Sequence, residues 1–145
     1  LGGYFGSRLM RRIREEKGYT YGIHAVAGAF HGIGYITIMT DVANAYRDET
    51  LSEIRTEIEK LRNEEVSDDE MTLVRNHLMG EIARMFDGPF AVADAVRGII
   101  DYDTGADYYT RFADTVKTVT PGRIREIFNT WFRPGEAYEI IAGGR

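Results

Sequence analysis

There is no cysteine in the 145 residues, which removes disulfides, thiolate metal ligands and a cysteine nucleophile in one step. Histidine is scarce, occurring only at His24, His31 and His77. A catalytic zinc takes three protein ligands, often two of them on one helical turn. His77 and Glu81 stand four apart and can share a helix face. No second histidine lies near them, so this chain is not expected to hold a metal alone. Apolar runs are short as well: none approaches the ~20 residues of a membrane span. No basic head, apolar run and small-residue cleavage site follow one another as a secretory signal requires, and nothing decides between a cytoplasmic and a periplasmic setting. Net positive charge is also missing. The formal charge is −5 and the pI near 5.2, whereas phosphate backbones call for a basic surface, so neither nucleic acid nor a membrane is an expected partner. Ser7, Ser52 and Ser67 sit in no Gly-x-Ser-x-Gly elbow, and the carboxylates fall on exposed helix faces or caps without marking an acid–base pair.

What remains is a globular composition, 43% hydrophobic and 28% charged, in a length suited to one domain over residues 1–145. The chain is organised around its first two dozen residues. Phe5, Leu9 and Ile13 recur every four residues and predict one apolar stripe on a helix. Arg8, Arg11, Arg12 and Arg14 crowd its later turns, where the helix dipole favours cations. Arg11–Glu15 and Arg12–Glu16 are i,i+4 pairs, so the basic face reads as salt-bridged rather than as a polyanion site. Gly18 suits the left-handed conformation that closes a helix. Arg14 then lies close to a strand predicted over residues 19–30, with Tyr19 and Tyr21 on one face and Thr20, Gly22 and His24 on the other. The small residues of that second face allow close approach to the backbone. A guanidinium and a phenol at one helix-to-strand corner suit carbonyl recognition, although mutual packing would also explain them. The glycine-rich Leu1–Ser7 stretch lacks the Gly-Lys-Ser/Thr ending of a phosphate loop.

A turn at His31–Gly34 and a second strand over Tyr35–Thr40 complete an antiparallel hairpin. A long helix to Glu64 is expected on the stripe Leu51, Ile54, Ile58 and Leu61. Ser67 and Glu70 form a capping box for the next helix, which runs to Phe86. Asp87 is placed to cap a shorter helix through Ile100, a further helix covers Tyr108–Thr118, and Thr120-Pro121 starts the last one. Arg133-Pro134-Gly135-Glu136 turns into a third short strand over Ala137–Ala142. Segregated strands and helices predict an α+β domain, an antiparallel sheet covered on one face by several helices. Three strands are few for so many helices, and Leu1 stands inside a helix signal. We therefore expect a domain truncated on its N-terminal side, whose open sheet edge pairs with another chain in a homo- or hetero-oligomer.

The stretch Leu1-Gly2-Gly3-Tyr4-Phe5-Gly6-Ser7-Arg8-Leu9, continuing through Ile13-Arg14-Glu15-Glu16-Lys17-Gly18-Tyr19-Thr20-Tyr21-Gly22, resembles the pitrilysin/insulinase family of zinc metallopeptidases, which includes the mitochondrial processing peptidases. The helix start at Val66–Glu70, the Asp87-Gly88-Pro89 break and Thr120-Pro121 agree with it, so the similarity covers essentially the whole chain. The seven-residue step from Arg14 to Tyr21 is its most specific element. Such enzymes close two similar α+β halves around an unfolded peptide. One half carries an inverted His-x-x-Glu-His zinc motif, which is absent here. The resemblance therefore implies the C-terminal portion of the metal-free half, inert alone, with zinc in a partner half that is either fused upstream or a separate subunit. It implies a peptide substrate, Arg14 and Tyr21 as catalytic residues, and Arg14, Tyr21 and Gly22 as substrate-binding ones. Arginine offers planar donors to carbonyls, and a phenol can donate to the oxyanion formed when water activated by zinc attacks. Tyr19, on the same predicted face as Tyr21, competes for that role. The alternative is a non-catalytic member of the fold acting as an assembly subunit or peptide-binding module.

Overall fold

Two strands pair in this chain, β1 (Ile23–Phe30) and β2 (Ile33–Thr40), antiparallel and in unbroken register from Ile23 opposite Thr40 to Phe30 opposite Ile33. The computed structural model describes every residue except His31, Pro134, Gly144 and Arg145. The predicted turn positions His31 and Pro134 thus lie outside the described residues, among which β1 and β2 make up the whole sheet. Along the chain come a π-helix (Met10–Glu16), β1, β2, a short 3₁₀ turn (Asn44–Tyr46), α1 (Arg47–Asn63), α2 (Asp68–Arg84), α3 (Pro89–Tyr102), α4 (Tyr108–Thr118) and α5 (Pro121–Trp131). The α+β class is as expected. The chain divides into two compact units, one of Leu1–Glu64 with the described residues of Ile127–Arg145, the other Glu65–Glu126.

In the first unit the apolar stripe of the opening helix is only partly the predicted one. Leu9 and Ile13 are fully buried, but Phe5 precedes the helix and is 62% exposed, and Met10 takes its place in the core. The wider i→i+5 turns of a π-helix shift which side chains share a face. Leu9, Met10, Ile13 and Ile23 form the core, with Leu1, Tyr19, Ala25, Ile38 and Ile54 packed around them. The Ile23 N–H donates to the Met10 sulfur at 3.4 Å, and the Ala25 N–H donates to the Gly2 carbonyl at 2.8 Å. A side chain at Gly2 would lie 2.8 Å from the Ala25 Cβ, so this close approach of two backbones requires glycine.

Arg12 forms the predicted pair with Glu16 at 2.7 Å, and it also donates to Glu53 on α1 at 2.7 Å, where Lys17 joins at 3.2 Å. No Arg11–Glu15 pair forms among the described residues. The Arg12 hydrogen bonds hold the Glu53 carboxyl below its ordinary value, with Lys17 adding to the effect against partial burial. Its folded pKa being depressed, the stabilisation is present above the unfolded glutamate value, near 4.3, and is lost as pH falls through the folded value. Glu53→Gln should therefore cost about 1–2 kcal/mol at pH 7 and progressively less as pH falls below the unfolded glutamate value, so the two melting curves should approach each other in acid. A constant difference across that range would rule the linkage out.

Two further expectations change. Residues 19–22 stand outside the ladder because the Thr20 hydroxyl binds Gly22, so β1 begins at Ile23. The strand expected over residues 137–142 does not form; Glu139 is held instead by Arg55 of α1 at 2.6 Å, while Tyr138 and Ile140 stand exposed. A strand pattern without a paired edge has no ladder to join.

In the second unit the Ser67 hydroxyl accepts from the Glu70 N–H at 3.3 Å, as the capping box predicts. Arg75 of α2 donates to the Val119 carbonyl at 2.6 Å, and Phe86 meets Tyr109 edge-on. Met71, Ile82, Ala95 and Val116 supply buried apolar contacts. Asp87 does not cap α3; Gly88 occupies the cap position with φ 95°, a conformation that favours glycine. Thr120 caps the start of α5 by accepting from the Arg123 N–H at 3.2 Å.

Candidate functional site

The candidate site is built on the exit from the π-helix. Gly18, at φ 67°, closes it in the left-handed conformation, returning its N–H to the Arg14 carbonyl at 3.2 Å. The Tyr19 N–H reaches back to Ile13 at 3.0 Å. The chain thus reverses directly after Arg14 and enters the Tyr19–Gly22 segment that leads into β1.

Arg14 is half-buried, and its guanidinium lies over the Phe5 ring, 4.6 Å from the centroid. That cation–π contact desolvates one face of the guanidinium and orients its plane. Phe5 was placed in the apolar stripe by its spacing; its actual role is to support Arg14. Nothing in a four-residue repeat distinguishes the two roles.

The two tyrosines have different environments. Tyr19 is half-buried and stacked on Tyr46, with centroids 4.4 Å apart and planes 8° from parallel. The Lys17 ammonium stands 5.7 Å over its ring. The Glu49 carboxylate near the Tyr19 hydroxyl raises its pKa above the ordinary phenol value, partial burial adding to the effect. Tyr19 is therefore occupied on its ring face, with an acidic side chain near its hydroxyl. Tyr21 is 100% exposed and makes no hydrogen bond, ion pair or ring contact among the described residues, including none with Arg14.

Gly22 is tied down. Its N–H donates to the Thr20 hydroxyl at 3.1 Å, and its carbonyl accepts from the Thr40 hydroxyl at 2.9 Å. The Thr20 oxygen also lies 2.7 Å from the Asp41 carbonyl and 3.0 Å from the Thr40 oxygen. The Gly22 N–H and carbonyl are thus both engaged inside the chain. In the sequence these two threonines hold only strand positions, because hydroxyls twenty residues apart signal no bond until the hairpin brings them together.

Basic residues beside this corner are largely neutralised: Arg12 by Glu16 and Glu53, Lys60 by Glu57 at 2.6 Å. His77 and Glu81 do share a face of α2, with Nε2 and Oε1 4.0 Å apart, and Glu81 also contacts Arg84. No group of three His, Cys, Asp or Glu gathers among the described residues, so the donor set here does not fit a zinc site. None of the described helices is long and apolar enough to cross a membrane.

Residues 1–78, the Arg14–Tyr21 corner included, match the family model described as the Peptidase M16 inactive domain. This chain belongs to that family. The opening motif pointed to this peptidase family and to its metal-free part. A solved Pseudomonas fluorescens structure described as a peptidase M16 inactive domain is 22% identical, with a TM-score of 0.78 over 90% of this chain and 31% of that one. A conserved protein from Enterococcus faecalis is 20% identical, with a TM-score of 0.74 over 88% of this chain and 30% of its own. A Helicobacter pylori protease gives 14% and 0.77, over 92% and 32%. At these identities the likeness shows the fold of the M16 domain, and the chain spans under a third of each of those structures. None of the curated proteins matches it.

Proposed function

We propose that this chain is the metal-free, substrate-binding part of a zinc metalloendopeptidase acting on peptides or unfolded segments. It presents Arg14 and Tyr21 to a peptide held at the zinc of a partner half. The observation that carries this reading is Tyr21, fully exposed and unpartnered on an anchored segment in an M16 inactive domain. A large aromatic side chain kept wholly in water has no packing role in this chain, whereas Tyr19 has one already.

Zinc in the partner half supplies the activation of water. This chain's residues bind and orient. Arg14, with one face on Phe5, offers its guanidinium edge to substrate carbonyls and stays charged throughout. The Tyr21 phenol is a hydrogen-bond donor for the oxyanion that develops on the scissile carbonyl, a charge absent from the ground state. The Gly22 backbone is engaged by threonines, so its contribution is the absence of a side chain beside Tyr21.

The chain alone should not hydrolyse an unstructured peptide and should do so when combined with its zinc-bearing half. In that assembly Arg14→Ala should raise KM about tenfold, the loss of one charged hydrogen bond to substrate. Failure of any zinc-bearing partner to confer hydrolysis would favour a non-catalytic assembly or peptide-binding subunit instead.

A further inference from the structure

Tyr21 lies between two residues that are joined to each other and to the end of β2. The Thr20 hydroxyl accepts from the Gly22 N–H at 3.1 Å, a side-chain turn with Tyr21 at its apex. Thr40, the last residue of β2, donates to the Gly22 carbonyl at 2.9 Å or to the Thr20 oxygen at 3.0 Å. Each hydroxyl has one proton, so Thr20 in turn donates either to the Asp41 carbonyl at 2.7 Å or to the Gly22 carbonyl at 2.9 Å. Every assignment ties Thr20 or Gly22 to the hairpin end by at least one bond, and by two when Thr20 donates to the Asp41 carbonyl. Ladder pairing starts only at Ile23, so without these hydroxyls nothing in the sheet would fix residue 21.

Resting on the reading of Tyr21 as an oxyanion donor, the geometry points to Thr20 and Thr40 as positioning residues for Tyr21. They clamp the backbone on both sides of it, which fixes where the Cα–Cβ bond of Tyr21 starts and points, and so the region its phenol can reach. A donor aimed at a developing charge must be placed within a fraction of an ångström, and small misplacements far from the chemistry lower turnover steeply. A merely structural role, closing the open end of a hairpin, needs the same bonds but predicts no link to Tyr21.

The test is a mutant cycle in the assembled peptidase. Thr20→Val keeps the shape and removes the hydroxyl; it should lower kcat about tenfold with KM within about twofold. Thr20→Ser, which keeps the hydroxyl, should restore most of the rate. In a Tyr21→Phe background Thr20→Val should cost nothing more, because the donor it positions is gone. The clamp is overturned if Tyr21→Phe is slow but Thr20→Val is not, or if the two losses multiply. Full activity in Tyr21→Phe would instead remove the oxyanion reading itself, and the clamp with it. Should Thr20→Val fail to fold, Thr40→Val retains the Gly22 N–H bond and carries the same cycle with the same outcomes.

Discussion

Tyr21→Phe should lower kcat by roughly 10² to 10³ in the assembled peptidase while leaving the chain's stability unchanged. The two halves of that expectation have separate causes. Removing one donor to an oxyanion lowers turnover by this amount because the bond strengthens as charge develops in a site from which water is excluded. Stability should not move because the phenol is 100% exposed and bonded to nothing, so its loss strands no buried partner. KM should change little, the ground-state carbonyl being a weaker acceptor than the oxyanion. Tyr19→Phe makes the contrasting control. Its hydroxyl lies near Glu49 and its ring stacks on Tyr46, so that variant should lower the melting temperature by a few degrees at most and leave turnover near normal. Full activity in Tyr21→Phe, or a rate loss confined to Tyr19→Phe, would reverse the assignment.

The contrast between the tyrosines shows what could be read from the sequence. Alternation put Tyr19 and Tyr21 on one strand face, because period two is all that a string of residues displays. The hydroxyl turn at Thr20 interrupts the strand before it begins, and the two rings part company. The helix caps were legible, since a Ser or Thr two or three residues from its N–H partner acts locally, as at Ser67 and Thr120. Asp87 carried the same local signal and failed, because Gly88 at φ 95° took the cap position. The third strand failed for a different reason. Residues 137–142 have strand composition, but a ladder needs a neighbour, and pairing is a property of two segments. The Arg14–Phe5 contact and the Arg12–Glu53–Lys17 cluster were likewise invisible, each depending on a packing geometry set elsewhere in the first unit. The Arg14-to-Tyr21 spacing was legible only as a family pattern; the π-helix and Gly18 give it a physical form, a short reversal that puts both residues at one end of β1.

That reversal depends on the core beneath it, and Leu9→Ala should expose the dependence. Leu9 is fully buried against Met10, Ile13 and Ile23, and its N–H donates to the Leu1 carbonyl at 3.0 Å. Truncation removes apolar contacts and leaves a cavity, for which about 2–5 kcal/mol is the usual cost. Partial collapse into the space is limited on the Gly2 side, where two backbones already touch. Since a unit of this size has about 5–15 kcal/mol in total, chemical denaturation should show a large fall in midpoint with little change in slope. Rigid π-helix packing also sets where Arg14 stands over Phe5, so peptide binding should weaken even at temperatures where the variant remains folded. Leu9→Met, which nearly conserves volume, should cost less than about 1.5 kcal/mol and keep binding. A Leu9→Ala protein with unchanged stability would mean that the interior formed by Leu9, Ile13 and Ile23 does not hold the corner in place.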